Sequence, residues 1–176
     1  MQKKLKKIFL IVLPFILTGC TLGGSSKKEK KYNENKIIQE DWHLDYDGVS
    51  EDTLIQEVNI DIALEKLKTD RGILILSSPD CPYCITAFPV LDELSREYKM
   101  ENIYYVDAAT INQEKRAELN EMLGGELLTN DDGTISLVIP DVYAIKEGSV
   151  LGSQRKVVED KEKLKKLYEN LFKKLN

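Results

Sequence analysis

Ile73-Leu74-Ile75-Leu76-Ser77-Ser78-Pro79-Asp80-Cys81-Pro82-Tyr83-Cys84 runs from four consecutive apolar residues, through a short polar break, to two cysteines three positions apart. An apolar run without alternation suits a central parallel strand that is covered on both faces. Pro82 suits the first turn of a helix, where its missing N–H costs nothing. The stretch therefore reads as strand, turn and helix, with the two cysteines at the point where the strand gives way to the helix.

Working outward, Ile85, Phe88, Leu91, Leu94 and Tyr98 recur as one apolar stripe, and Ile103-Tyr104-Tyr105-Val106 follows the Glu101-Asn102 turn as a second buried strand. That completes a βαβ unit. Upstream, Leu54 to Ile60 reads as a strand, and Ala63, Leu64 and Leu67 as a helix ending at Arg71-Gly72. Downstream, Gln113 to Leu123 reads as a helix closed by Gly124-Gly125. Ile135 to Ile139 and Val142 to Ile145 read as extended, with Lys146-Glu147-Gly148-Ser149 turning into Val150-Leu151. Leu164, Leu167, Tyr168, Leu171, Phe172 and Leu175 give an amphipathic C-terminal helix. The expected architecture is α/β: a central mixed sheet with parallel strands first, a C-terminal antiparallel hairpin, and helices on both faces.

The N-terminus reads as an address. Four lysines precede an apolar stretch, Ile8 to Leu17, that is too short for a stable transmembrane helix, and Leu17-Thr18-Gly19-Cys20 follows. This resembles a bacterial lipobox, which implies a signal peptide over 1–19, removed once the Cys20 sulfur carries diacylglycerol. Acyl chains such as palmitate would then hold Cys20 to the cell membrane on its extracytoplasmic face, each buried methylene contributing about 0.8 kcal/mol. Residues 20–35 are small, polar and charged and read as a lipidated flexible tether. Residues 36–53 form an acidic N-terminal extension holding Trp42 and the only histidine, His43; it either covers an edge of the domain or stays loosely ordered. Residues 54–176 are the folded domain.

The whole chain has 25 basic and 30 acidic residues, and removal of residues 1–19 leaves 21 basic residues and a net charge of −9. Such a balance argues against nucleic acid as a partner.

Three cysteines occur, and with Cys20 assigned to lipid the chemistry falls to Cys81 and Cys84. A thiol at a helix N-terminus meets unpaired N–H groups and the helix dipole, both of which favour a thiolate. Cys81 is thus the expected nucleophile. Cys84, one turn on, is the expected resolving thiol, placed to attack a mixed disulfide at Cys81. A structural zinc site would need a second ligand pair that the chain lacks, so no metal is expected. A purely structural disulfide closing so short a loop would gain little entropy. No cofactor is expected beyond the redox-active cysteine pair. Tyr83 is expected to be an exposed contact surface beside it.

Ser77 to Cys84 after a hydrophobic strand resembles a thioredoxin or glutaredoxin active site, and Ile139-Pro140 before Asp141-Val142-Tyr143-Ala144-Ile145-Lys146-Glu147-Gly148 resembles the thioredoxin segment in which a cis-proline faces the dithiol. Pro89 sits where thioredoxins kink the active-site helix. With the lipobox and Tyr104-Tyr105-Val106-Asp107, the chain is similar to thioredoxin-like lipoproteins of Gram-positive bacteria, some labelled bacteriocin transport accessory proteins. The resemblance covers about Leu54 to Asn176. It implies a thiol–disulfide oxidoreductase in which Pro140 shapes a substrate groove and the Ile139 backbone pairs with an extended partner, Pro82 and Tyr83 lining the same site. Its partners would be cysteine-containing secreted or surface proteins, together with a further redox partner. An alternative function is a lipid-tethered accessory module for peptide export, binding without turnover.

The chain also departs from thioredoxins. Asp80 replaces the usual tryptophan, Asp141 replaces the threonine after the cis-proline, and Ile75 stands where thioredoxins bury an aspartate. The first two place acids near the groove. The third removes the usual proton acceptor behind the resolving thiol, and slow turnover is expected.

Overall fold

The computed structural model describes residues 41–176. The signal-peptide and tether readings, and Cys20 with them, lie outside the described residues.

Five strands form one sheet in the order β1-β3-β2-β6-β7: β1 (Ile55–Glu57), β2 (Arg71–Ser77), β3 (Ile103–Asp107), β6 (Asp141–Lys146) and β7 (Ser149–Gln154). β3 pairs in parallel with both β1 and β2, whereas β2–β6 and β6–β7 are antiparallel. α1 (Ile60–Thr69) and α3 (Gln113–Met122) cover one face, where Leu64, Leu67 and Leu119 pack on Leu74, Leu76 and Tyr143. α2 (Pro82–Glu97) and α4 (Lys161–Leu175) cover the other, where Phe88, Leu91, Tyr168 and Phe172 pack on Ile73, Ile75 and Ala144. The expected mixed α/β sheet is what forms, and its order and pairing are those of a thioredoxin-like fold.

Several boundaries differ from the sequence reading for local reasons. The first strand stops at Glu57, because the Asn59 side chain accepts from the Ile62 backbone N–H and starts α1 at Ile60. Ile85 faces solvent, since the buried face of α2 runs through Cys84, Ala87, Phe88, Leu91 and Leu94. Of the stretch from Ile135 to Ile139, only β5 (Ile135–Ser136) is strand, and it pairs with β4 (Leu128–Thr129) as a separate two-stranded sheet. Gln113 on α3 pins this hairpin by bonding both the N–H and the carbonyl of Ile135. The β6–β7 turn places Glu147 and Gly148 at positive φ, as a tight hairpin requires.

The segment before β1 is built into the core. A 3-10 turn over Trp42–Asp45 buries Trp42, and Tyr46 follows it inward. The Tyr46 ring stacks on Phe88 of α2 at 3.9 Å, and Trp42 and Tyr105 lie 5.4 and 5.0 Å from the same ring. Each such aromatic pair adds about 0.5–1.5 kcal/mol beyond the area it buries. Gly48, at φ +84°, passes so close to Pro89 that a Cβ would sit 3.3 Å from the proline ring. Asp92 then fixes the exit by accepting from the Ser50 N–H.

Candidate active site

β2 ends at Ser77, and the chain turns through Ser78, Pro79 and Asp80 so that Cys81 caps α2. The Cys81 sulfur accepts from the Cys84 N–H at 3.4 Å, which makes the thiol itself the helix cap. Pro82 occupies the first helical turn, as expected. Cys81 is partly exposed and Cys84 fully buried one turn behind it, both as free thiols. The Cys81 thiol points at the Ile139 carbonyl, 3.8 Å away across the site, and the Ile139–Pro140 bond is cis. The two halves of the candidate site, distant in sequence, are therefore in contact.

Around them lies a partly apolar rim. Tyr83 is 66% exposed, Val138 and Ile85 are also open to solvent, and Pro140 is buried behind Ile139. A depression of about 290 Å³ runs beside the dithiol, lined by Ser78, Ala108, Arg116, Leu137 and Ile139. Arg116 is held there by the carbonyls of Ile111 and Ile135.

The two acids near the site differ in environment. Asp80 is exposed on the turn before Cys81. Asp141, expected beside the groove, is instead 1% exposed, with one carboxylate oxygen bound by Arg155 Nε at 2.7 Å and by the Tyr143 hydroxyl. Burial pushes its carboxyl up, against the downward pull of Tyr143 and Arg155. Arg155 also bonds the Glu126 carbonyl, so it ties the loop before β4 to the first residue of β6.

Burial pushes the Cys84 thiol up to about 12, with the neighbouring Cys81 sulfur adding to the effect and the nearby Ser77 hydroxyl opposing it. Ser77 in turn lies 3.2 Å from the Tyr46 hydroxyl, which donates to Tyr105 at 3.0 Å. Sequence reading placed no functional residue between 36 and 53. The spacing of Trp42 and Tyr46, one helical turn apart in an otherwise acidic stretch, was the available signal. Among the described residues, no group of three or more His, Cys, Asp or Glu side chains is arranged to hold a metal ion.

The family model described as "TraF: F plasmid transfer operon protein" matches residues 44–121, a span that includes both the segment around Tyr46 and the dithiol. No curated protein matches the chain. Solved structures that it resembles include thioredoxin F from spinach chloroplast, at 24% identity over 69% of this chain and 94% of that one, with a TM-score of 0.45. The Schistosoma mansoni thioredoxin pre-protein gives 22% identity, 69% and 97% coverage, and a TM-score of 0.45. Thioredoxin O1 from Arabidopsis thaliana gives 22%, 66% and 97%, and 0.43. Sheet order, helix placement and a capping cysteine opposite an Ile139–Pro140 cis bond together make this a thioredoxin-like fold.

Proposed function

We propose that the chain is a membrane-anchored, extracytoplasmic thiol–disulfide oxidoreductase that exchanges disulfides in cysteine-containing secreted or surface proteins. The observation that carries this reading is the pairing of a partly exposed, helix-capping Cys81 with a buried Cys84 behind it, the Ile139 backbone standing across from Cys81.

In the reducing direction the Cys81 sulfur, as thiolate, attacks a partner disulfide. The partner's S–S bond breaks, a Cys81–partner bond forms, and one partner sulfur leaves with the electron pair. Cys84 then attacks the Cys81 sulfur, forming the Cys81–Cys84 disulfide and releasing the second partner sulfur as a thiolate, which takes up a proton. Two electrons have passed to the partner, and a further redox partner restores the dithiol. The reverse sequence donates a disulfide. Pro82, Tyr83 and Ile139 present the surface that receives the partner chain, Pro140 shapes it from its buried position behind Ile139, and Tyr83 and Val138 offer exposed apolar area to the partner.

Anchoring rests on the lipobox-like run ending at Cys20. Among the described residues, no helix is long and apolar enough to cross a membrane. Labelled palmitate should enter the wild-type chain in a bacterial host and be absent from Cys20→Ser.

The decisive test of exchange is the reduction potential of the Cys81–Cys84 pair, measured in the full-length chain carrying Cys20→Ser against defined thiol buffers. A value near about −270 mV marks a reductant and one near about −120 mV an oxidant. A folded protein whose pair exchanges with none of the buffers would sink this reading and leave the accessory-module function in its place.

A further inference from the structure

Three buried hydroxyls stand behind the resolving thiol, and the reaction above gives none of them a role. Ser77, at the end of β2, lies close enough to the Cys84 thiol to favour its charged form. Tyr46 reaches Ser77 from the segment before β1, and Tyr105 receives the Tyr46 hydroxyl from β3. Ser77, Tyr46 and Tyr105 are all buried on the α2/α4 side of the sheet. Apolar packing does not require this row. A phenylalanine would fill the volume of the Tyr46 ring against Phe88, while a hydroxyl in such a place costs free energy unless it is partnered.

Resting on the thiol–disulfide reading, we infer that Tyr46 is a positioning residue for Cys84: through its bond to Ser77 it holds that hydroxyl ready to donate to the Cys84 sulfur when the sulfur carries charge. With Cys84 protonated, the row runs outward, each hydroxyl donating to the next as far as Tyr105. Once the proton has passed to solvent water, each hydroxyl turns, so that Tyr105 donates to Tyr46, Tyr46 to Ser77 and Ser77 to the thiolate. No proton remains in the row. Cys84 bonds to Cys81, the Cys81–partner bond breaks with its electron pair on the partner sulfur, and the proton given up by Cys84 is balanced by the one that sulfur takes from water.

This arrangement stands where Ile75 offers no acid. Other groups bear on the same thiol. Cys81 acts from its own helix, and Tyr168, whose hydroxyl is buried on α4, lies within electrostatic reach of Cys84 and of Asp141 on β6. Asp107 on β3 acts on both Tyr46 and Tyr105, and Glu57 on β1 acts on Tyr105. Burial and these negative charges hold both phenols protonated, so they remain donors.

The test uses the full-length chain with Cys20→Ser, loaded at Cys81 as a mixed disulfide with thionitrobenzoate, and follows chromophore release against pH. Tyr46→Phe should release about 3–10-fold more slowly at pH 7, with the whole profile displaced to higher pH. A Tyr46 that serves packing alone would lower the melting temperature without moving that profile. Ser77→Ala should give the same displacement, and the Tyr46→Phe/Ser77→Ala double variant no more than Ser77→Ala by itself. Tyr168→Phe separates the contribution from α4. A Tyr46→Phe profile that coincides with wild type overturns the inference, and if that variant does not fold, an unmoved Ser77→Ala profile does so. Should the parent chain release no faster than its Cys84→Ala variant, the exchange reading itself fails and this inference with it.

Discussion

The two faces of the central sheet are equally closed to solvent but are built from different groups. Under α1 and α3 the core is aliphatic, and its two tyrosines send their hydroxyls to polar partners of their own, Tyr104 to Asn102 and Tyr143 to the Asp141–Arg155 pair. Under α2 and α4 the hydroxyls of Tyr46, Ser77 and Tyr105 meet one another beside a buried thiol. A face that partners its polar groups away from its apolar contacts serves stability. A face that gathers them around a titrating sulfur accepts a desolvation cost in return for control over that sulfur's charge.

Changes on the two faces should therefore differ in kind. The largest effect is expected from Cys84→Ala, which should slow release of a Cys81 mixed disulfide by about a thousandfold or more, equivalent to about 4 kcal/mol of barrier, with the melting curve little changed. In the parent chain the same release should quicken about tenfold per pH unit between pH 7 and 9, because Cys84 must lose a proton from a thiol that burial raises above its ordinary range. A flat profile would place the limiting step elsewhere. The sign for stability is the opposite: with the folded thiol raised above its ordinary 9.0, this contribution to the reduced protein is complete below pH 9 and declines above it.

On the aliphatic face, Leu67→Ala should cost about 2–5 kcal/mol in denaturant unfolding and leave the pH profile of release where it was. A displaced profile would mean that the two faces are coupled. Arg155→Met should cost less, about 1–2 kcal/mol, because Arg155 is itself 37% exposed and screened, although it leaves Asp141 buried without its cation. Asp141 is already raised above its ordinary 3.8, so the Arg155→Met penalty should be present at neutral pH and vanish as the pH falls and the carboxyl takes up a proton. Urea titrations at pH 7 and pH 4 measure the difference. The smallest effect is expected from Tyr83→Ala, an exposed position, with stability unchanged within about 0.5 kcal/mol and only partner exchange slowed.

Much of this was legible in the residues. The uninterrupted run Ile73–Leu76 and the stripe through Phe88, Leu91 and Leu94 specify the βαβ core, because a strand covered on both faces and a one-sided helix each leave a distinct period in the chain. Cys81 and Cys84 could be picked out as candidates from a helix start and a fixed spacing, whereas Pro140 became a candidate only through the resemblance of its segment to that of thioredoxins. The short β4–β5 sheet was not legible. Its two-residue strands carry too little period to be read, and Gln113, on a different element, holds them in place.

The sequence by itself determined the order of the elements of the main sheet and its covering helices, and placed the two cysteines where the central strand gives way to a helix. Only the tertiary structure decided what surrounds them. Whether Asp141 shows its charge to a groove depends on Arg155 arriving from beyond β7, and whether Cys84 has help in losing its proton depends on Tyr46 arriving from before β1. Periodicity records which side of an element is buried. It does not record which distant side chain will be buried against it, because that meeting is set by packing among elements that are far apart in the chain.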